Sequence, residues 1–272
     1  MKLHNNKFEY INFNTRTAKF PLENLPFYNQ NFQYITSDDN ILERSPSLTD
    51  LGVTISEDLK WSSHVSTLAT KAKRKAGWVL CVFKARSPFV MKTLYKSIVR
   101  SQLEYACPVW TGLSIGDIQQ LESVQRSFTN KIDCPSHVSD YWERLKFLNL
   151  MSLQRRRERY VILHMWKILN CKVSNDIDVT FRDSARFGKV AIIPPIHRSS
   201  SVKAQTMYDA SFAVRGPTLW NTLPKLVKSY DKLNTFKVNL DKYLKDIPDR
   251  PPVSGYVTQN HNSLVDWHNT QY

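Results

Sequence analysis

The stretch Trp61–Phe83, WSSHVSTLATKAKRKAGWVLCVF, decides the fold class. Trp61, Val65, Leu68, Ala72, Ala76, Val79 and Phe83 recur every three or four residues. That is the period of an amphipathic helix, with Ser62 as candidate N-cap. Upstream the period is two: Lys7–Phe13 alternates, Phe32–Ile35 does so in part, and Ser37–Asn40 is a turn cluster. Leu51-Gly52-Val53-Thr54-Ile55 then reads as a strand. So few strands cannot easily close a core, so residues 1–55 read as a fragment of sheet.

Downstream the helical period continues to Asn170. Ser87-Pro88 opens a second helix with the apolar face Met91, Leu94, Tyr95, Ile98 and Val99, limited by Pro108. Ser114 with Asp117 three residues on opens a third, through Ile118, Leu121, Gln125, Phe128 and Ile132. A short helix is expected over Tyr141–Leu148 and a longer one from a Ser152 cap through Tyr160, Val161, Met165 and Ile168. The loops are short, which predicts a compact bundle over 56–170. Residues 171–250 are mixed: Val190–Ile193 reads as a strand stopped by Pro194-Pro195, and Phe236, Leu240, Tyr243 and Leu244 mark a helix. Residues 251–272 are polar and are expected to form a flexible tail. The class is α+β, mostly α: a small β-rich segment, a helical bundle and a mixed C-terminal region.

Composition narrows the chemistry. Over 272 residues, 42% are hydrophobic and 12% aromatic, enough for a sizeable core. Only 7 glycines occur, and neither G-x-G-x-x-G nor G-x-x-x-x-G-K-[ST] is present, which removes the main support for Rossmann and P-loop readings. Thirty-eight Lys+Arg against 24 Asp+Glu give a net charge of +14, favouring a polyanionic partner. The bundle concentrates it: residues 56–170 hold 19 basic against 9 acidic residues, or +10. Cys81, Cys107, Cys134 and Cys171 form no C-x-x-C pair, and no second ligand pair stands near Cys134 and His137. No metal or cofactor is expected. The N-terminus lacks a signal-like apolar run, and Trp78–Phe83 is too short to span a bilayer. The expectation is an intracellular protein, nuclear or cytoplasmic, without a membrane partner.

No catalytic constellation emerges. Asp38-Asp39 could suggest a two-metal carboxylate pair, but no upstream strand supplies a third carboxylate, so a solvated turn is the better reading. The 7 histidines form no H-E-x-x-H, and no G-x-S-x-G elbow occurs. Two basic clusters say more. Lys71, Lys73, Arg74 and Lys75 lie mid-helix, mostly off the apolar stripe. Arg155, Arg156 and Arg159 are expected to share one outward face of the last bundle helix, with Leu153, Tyr160 and Val161 inward. Guanidinium forks suit phosphate oxygens. The alternatives are a solvated face or, for Lys71–Lys75, a nuclear import signal.

Several stretches also carry a family resemblance. Leu51-Gly52-Val53-Thr54-Ile55 followed by Trp61-Ser62-Ser63-His64-Val65 resembles the LGV-x-I … W-x-x-H-I passage of reverse transcriptases from non-LTR retrotransposons of the jockey-like, LINE type. The likeness continues through Lys96–Arg100, Leu103–Trp110, Asp117–Arg126, Tyr141–Lys146, Leu153–Tyr160, Ser211–Pro217 and Leu219–Pro224. It spans about residues 1–257.

That resemblance implies the palm edge, thumb and C-terminal region of an RNA-directed DNA polymerase. The family's catalytic aspartate box lies upstream of the LGV strand, and the chain is expected to begin after it, at Lys7-Phe8-Glu9. Leu51 and Gly52 would belong to a primer-grip-like strand, and Lys71–Lys75 to the first thumb helix, where duplex phosphates pass. Trp61, Tyr105, Trp110, Trp142 and Trp220 are expected to be core packing rather than base stacking. The implied function is low-specificity binding of RNA–DNA or DNA duplex without catalysis, with the missing polymerase portion as a partner in trans. The alternatives are a domesticated protein-interaction module and a non-functional remnant.

Overall fold

The computed structural model describes residues 9–11, 13, 41–173, 180–184, 188–193, 202–250 and 262–270. Lys7-Phe8, the Phe32–Ile35 alternation, Asp38-Asp39, Pro194-Pro195 and the Pro251-Pro252 start of the expected tail lie outside them. The chain divides into two compact units, 1–64 and 65–272.

In the first unit, β1 (Glu9–Tyr10) pairs parallel with β2 (Glu43–Arg44). β3 (Ser47–Asp50) pairs antiparallel with β4 (Val53–Ser56), with Asp50 opposite Val53. That register leaves Leu51-Gly52 as a two-residue loop, both at positive φ, 45° and 81°. Two left-handed residues in succession are what a type I′ hairpin turn demands. The strand expected over Leu51–Ile55 therefore begins at Val53, and Leu51 and Gly52 form its turn. The period-two pattern missed this because Leu51 is apolar yet 83% exposed. His64 tethers the hairpin, its Nδ1 accepting from the Thr54 N–H at 3.2 Å.

The second unit is helical. α1 (Ser62–Val82) buries Val65, Ala69, Ala72, Ala76 and Val79 along one side. α2 (Pro88–Leu94) passes through a π-helical turn (Tyr95–Arg100) into α3 (Ser101–Leu103). Met91, Tyr95, Val99 and Leu103 are its buried residues. A strict spacing of four drifts off one face of an α-helix with about 3.6 residues per turn, and the wider π turn corrects that drift.

α4 (Ile115–Thr129) opens on the expected Ser114–Asp117 capping box, and α5 (Tyr141–Phe147) on a second made by Asp140 and Glu143. α6 (Leu153–Leu169) opens on Ser152, whose Oγ accepts from the Arg155 N–H at 3.0 Å. β5 (Thr180–Ser184) and β6 (Gly188–Ile193) form an antiparallel pair. Then come α7 (Val202–Asp209), α8 (Phe212–Asn221), α9 (Lys225–Lys228), α10 (Leu233–Lys245) and α11 (Leu264–Thr270).

α6 is the axis of this unit. Ile162 and Trp166 share one core with Leu219, Trp220, Phe236, Leu240 and Leu264. Trp166 stacks on Phe236 with ring centroids 5.7 Å apart. The boundary expected at Asn170 is thus crossed by a continuous core, in which the apolar side of α6 packs against residues 219–264. Part of the expected flexible tail is ordered too: Leu264 is buried and the Ser263 hydroxyl donates to Glu158 at 2.7 Å. The class is α+β and mostly helical. Among the described residues no helix is long and apolar enough to cross a membrane.

Candidate nucleic-acid interface

α1 contains no acidic residue in its 21 positions. Its burial pattern leaves Lys71, Lys73, Arg74 and Lys75 exposed. None of the four takes part in an ion pair among the described residues. Lys71, Arg74, Lys75 and Trp78 follow the i, i+3, i+4, i+7 rule and form one stripe. Lys73, two residues from Lys71 and so roughly 200° around the helix, lies on another flank. The structure therefore brings together three of the four predicted cations.

The stripe forms one wall of a groove of about 650 Å³. Lys71, Arg74, Lys75 and Trp78 line it from α1, with Ile98 from the π turn and Gln102 from α3. No carboxylate lines it. Trp78 is 56% exposed, and the buried Gln102 Oε1 has no hydrogen-bond partner among the described residues. Trp78, Ile98 and Gln102 were not legible as site residues: Trp78 reads as part of an apolar run with Val79 and Leu80. Its seven-residue spacing from Lys71 was the one available signal.

The second basic cluster is placed differently from its expectation. Arg155 is 1% exposed, and its guanidinium donates to the Pro248 and Asn262 carbonyls at 3.1 and 3.4 Å. Arg156 forks onto Glu104 at 2.5 and 2.8 Å, with Arg100 and the Tyr160 hydroxyl on the same carboxylate. Burial pulls its guanidinium down, but the Glu104 hydrogen bond and charge outweigh this and hold it above the usual arginine range. Arg159 forks onto Asp241 of α10. The outward face assigned to these arginines is thus corrected: they tie α6 to its neighbours. The physical reason is that α6 is covered on nearly every side, so its polar stripe meets protein.

Arg157 is also interior. It lies 4.2 Å from the centroid of the Trp110 ring and donates to the Trp110 carbonyl at 2.5 Å. Burial pushes its guanidinium down to about 10. The polar core continues to Glu122, fully buried, which accepts from the Tyr141 hydroxyl at 2.5 Å and the Leu153 N–H at 2.9 Å. Gln125 bridges this carboxylate to the Tyr95 hydroxyl. Burial raises the Glu122 carboxyl to about 8. This network connects α4, α5 and α6.

Among the aromatics expected in the core, Trp110 and Trp220 are buried, whereas Tyr105 is 53% exposed. Leu51 and Gly52 stand at the hairpin tip of the first unit. No group of three or more His, Cys, Asp or Glu that could hold a metal ion occurs among the described residues. Comparison of the chain with protein-family models, with curated proteins and with solved structures finds no match in any of the three.

Proposed function

We propose that this chain binds template–primer duplex nucleic acid, RNA–DNA or DNA, through its sugar–phosphate backbone, as a thumb-like relative of a retrotransposon-derived reverse transcriptase without polymerase chemistry of its own. One observation carries the reading: α1 presents Lys71, Arg74 and Lys75 on a single exposed stripe, with no acidic residue on the helix and no ion pair among the described residues neutralising them. Cations left unpaired on a rigid helix keep their full field for a polyanion. Their regular spacing suits phosphates, which position a duplex without reading its sequence.

The test is fluorescence anisotropy with an RNA–DNA hybrid and a plain DNA duplex over a range of salt. Three phosphate contacts give an expected slope of log K against log salt of about −2.7. The triple variant Lys71→Glu, Arg74→Glu, Lys75→Glu should lose most binding and most of that slope with its melting temperature unchanged, since all three side chains are exposed. Binding that ignores salt, or that survives the triple variant, would overturn the reading. A protein-interaction module is the second reading, favoured by the two-stranded β3–β4 sheet, which among the described residues pairs with no third strand. A discrete, salt-insensitive protein partner would support it.

A further inference from the structure

The phosphate reading leaves half of the groove unexplained. A surface that only neutralised phosphates would need its three cations and nothing more. Here Trp78 sits one helical turn beyond Arg74 and Lys75 on the same stripe and is 56% exposed. Aromatic side chains of that size are normally buried for the apolar area they contribute. Ile98, half-buried, adds an apolar surface from the neighbouring helix, and Gln102 adds a carbonyl oxygen with no hydrogen-bond partner among the described residues. Cations along a backbone track, an exposed ring beside them and an unsatisfied acceptor in the lining are the parts of a site for an unstacked base. No acidic residue in the groove opposes a phosphate chain.

We propose that the groove takes an unpaired nucleotide: its base stacks on Trp78 against Ile98, its flanking phosphates rest on Lys71, Arg74 and Lys75, and the Gln102 side chain turns into the groove to accept a base N–H. The inference rests on the duplex-binding reading above and narrows its ligand to a duplex carrying a single-stranded extension. Every base has a π face and at least one N–H on its pairing edge, so the site tolerates any sequence. It distinguishes a stacked, fully paired end from one with a free base.

Three labelled RNA–DNA hybrids test this: one blunt, one with a four-nucleotide overhang, and one whose overhang has the same sugar–phosphate chain without bases. The overhang should tighten binding about tenfold over the blunt hybrid, within the range of one base–aromatic stack. The base-free overhang should bind no tighter than its added phosphates allow. Trp78→Ala should abolish the tenfold gain, so that overhanging and blunt hybrids bind alike, while Trp78→Phe keeps most of it. Gln102→Leu should reduce the gain without removing it. Equal affinity for blunt and overhanging hybrids, or an undiminished gain in Trp78→Ala, would overturn this inference while leaving the phosphate contacts standing. Absence of salt-dependent binding to all three would overturn both.

Discussion

Lys73 and Arg74 are adjacent in sequence and differ in surroundings. Arg74 lines the groove beside Lys71 and Lys75, and Lys73 does not. Arg74→Glu should therefore weaken duplex binding more than Lys73→Glu, and only the former should lower the salt slope by about 0.9; titrations of both variants at several salt concentrations would check this. Leu51 poses a different problem, a branched apolar residue at φ 45° in a turn that favours Asn or Gly. Leu51→Asn should stabilise the hairpin by about 1 kcal/mol, read as slower amide exchange at the cross-strand hydrogen bonds. A Leu51→Asn variant that exchanges faster would show that the exposed leucine itself supports the hairpin. Arg156 makes the opposite case from Arg74. Arg156→Ala leaves the Glu104 side chain, 8% exposed, with Arg100 as its remaining cation at 3.4 Å. The expected cost is about 3 kcal/mol in denaturant unfolding, the low end for a broken buried pair, with duplex binding unchanged below the unfolding transition.

At the scale of elements, the helix starts were the most legible feature. Ser114 and Ser152 sit where capping chemistry needs them, because a cap depends only on residues within one turn of each other. Which face of each helix meets solvent was legible for α1, whose buried residues beyond His64 are all Val or Ala with a basic opposite side. For α6 it was not. Arg155, Arg156 and Arg159 read as one outward face until the Pro248 and Asn262 carbonyls, Glu104 and α10 meet them. The close approach at Gly112 is likewise invisible in sequence. A Cβ there would stand 2.6 Å from the Ala210 Cβ, and the Thr111 hydroxyl donates to the Ala210 carbonyl at 2.7 Å. Gly112→Ala should cost about 2 kcal/mol by overpacking, and the fall in melting temperature should be largely restored by Ala210→Gly.

Across the whole molecule, the buried Glu122 sets a pH dependence of stability. Its carboxyl stands at about 8 when folded against 4.5 as the ordinary value, so the folded chain holds a proton that the unfolded chain releases between those limits. Stability from this group is complete below about pH 4.5 and is lost as pH rises toward about 8, by up to about 1.4 kcal/mol per unit. Glu122→Gln removes the loss, so the difference in unfolding free energy between variant and wild type should grow in the variant's favour from acid to mildly alkaline pH. A pH-independent difference would mean that the carboxyl ionises freely inside the fold. By itself the sequence determined the helical class, the caps at Ser114 and Ser152 and the basic character of α1, because these follow from neighbours within one or two turns; Ser62, expected as a cap, lies inside α1. Only the tertiary structure decided that Arg155, Arg156 and Arg159 are interior ties, that residues 264–270 join the core, and that Trp78 and Gln102 line one groove. Those outcomes depend on segments up to about a hundred residues apart packing together, and burial by a distant segment leaves no periodic trace in the residues it covers.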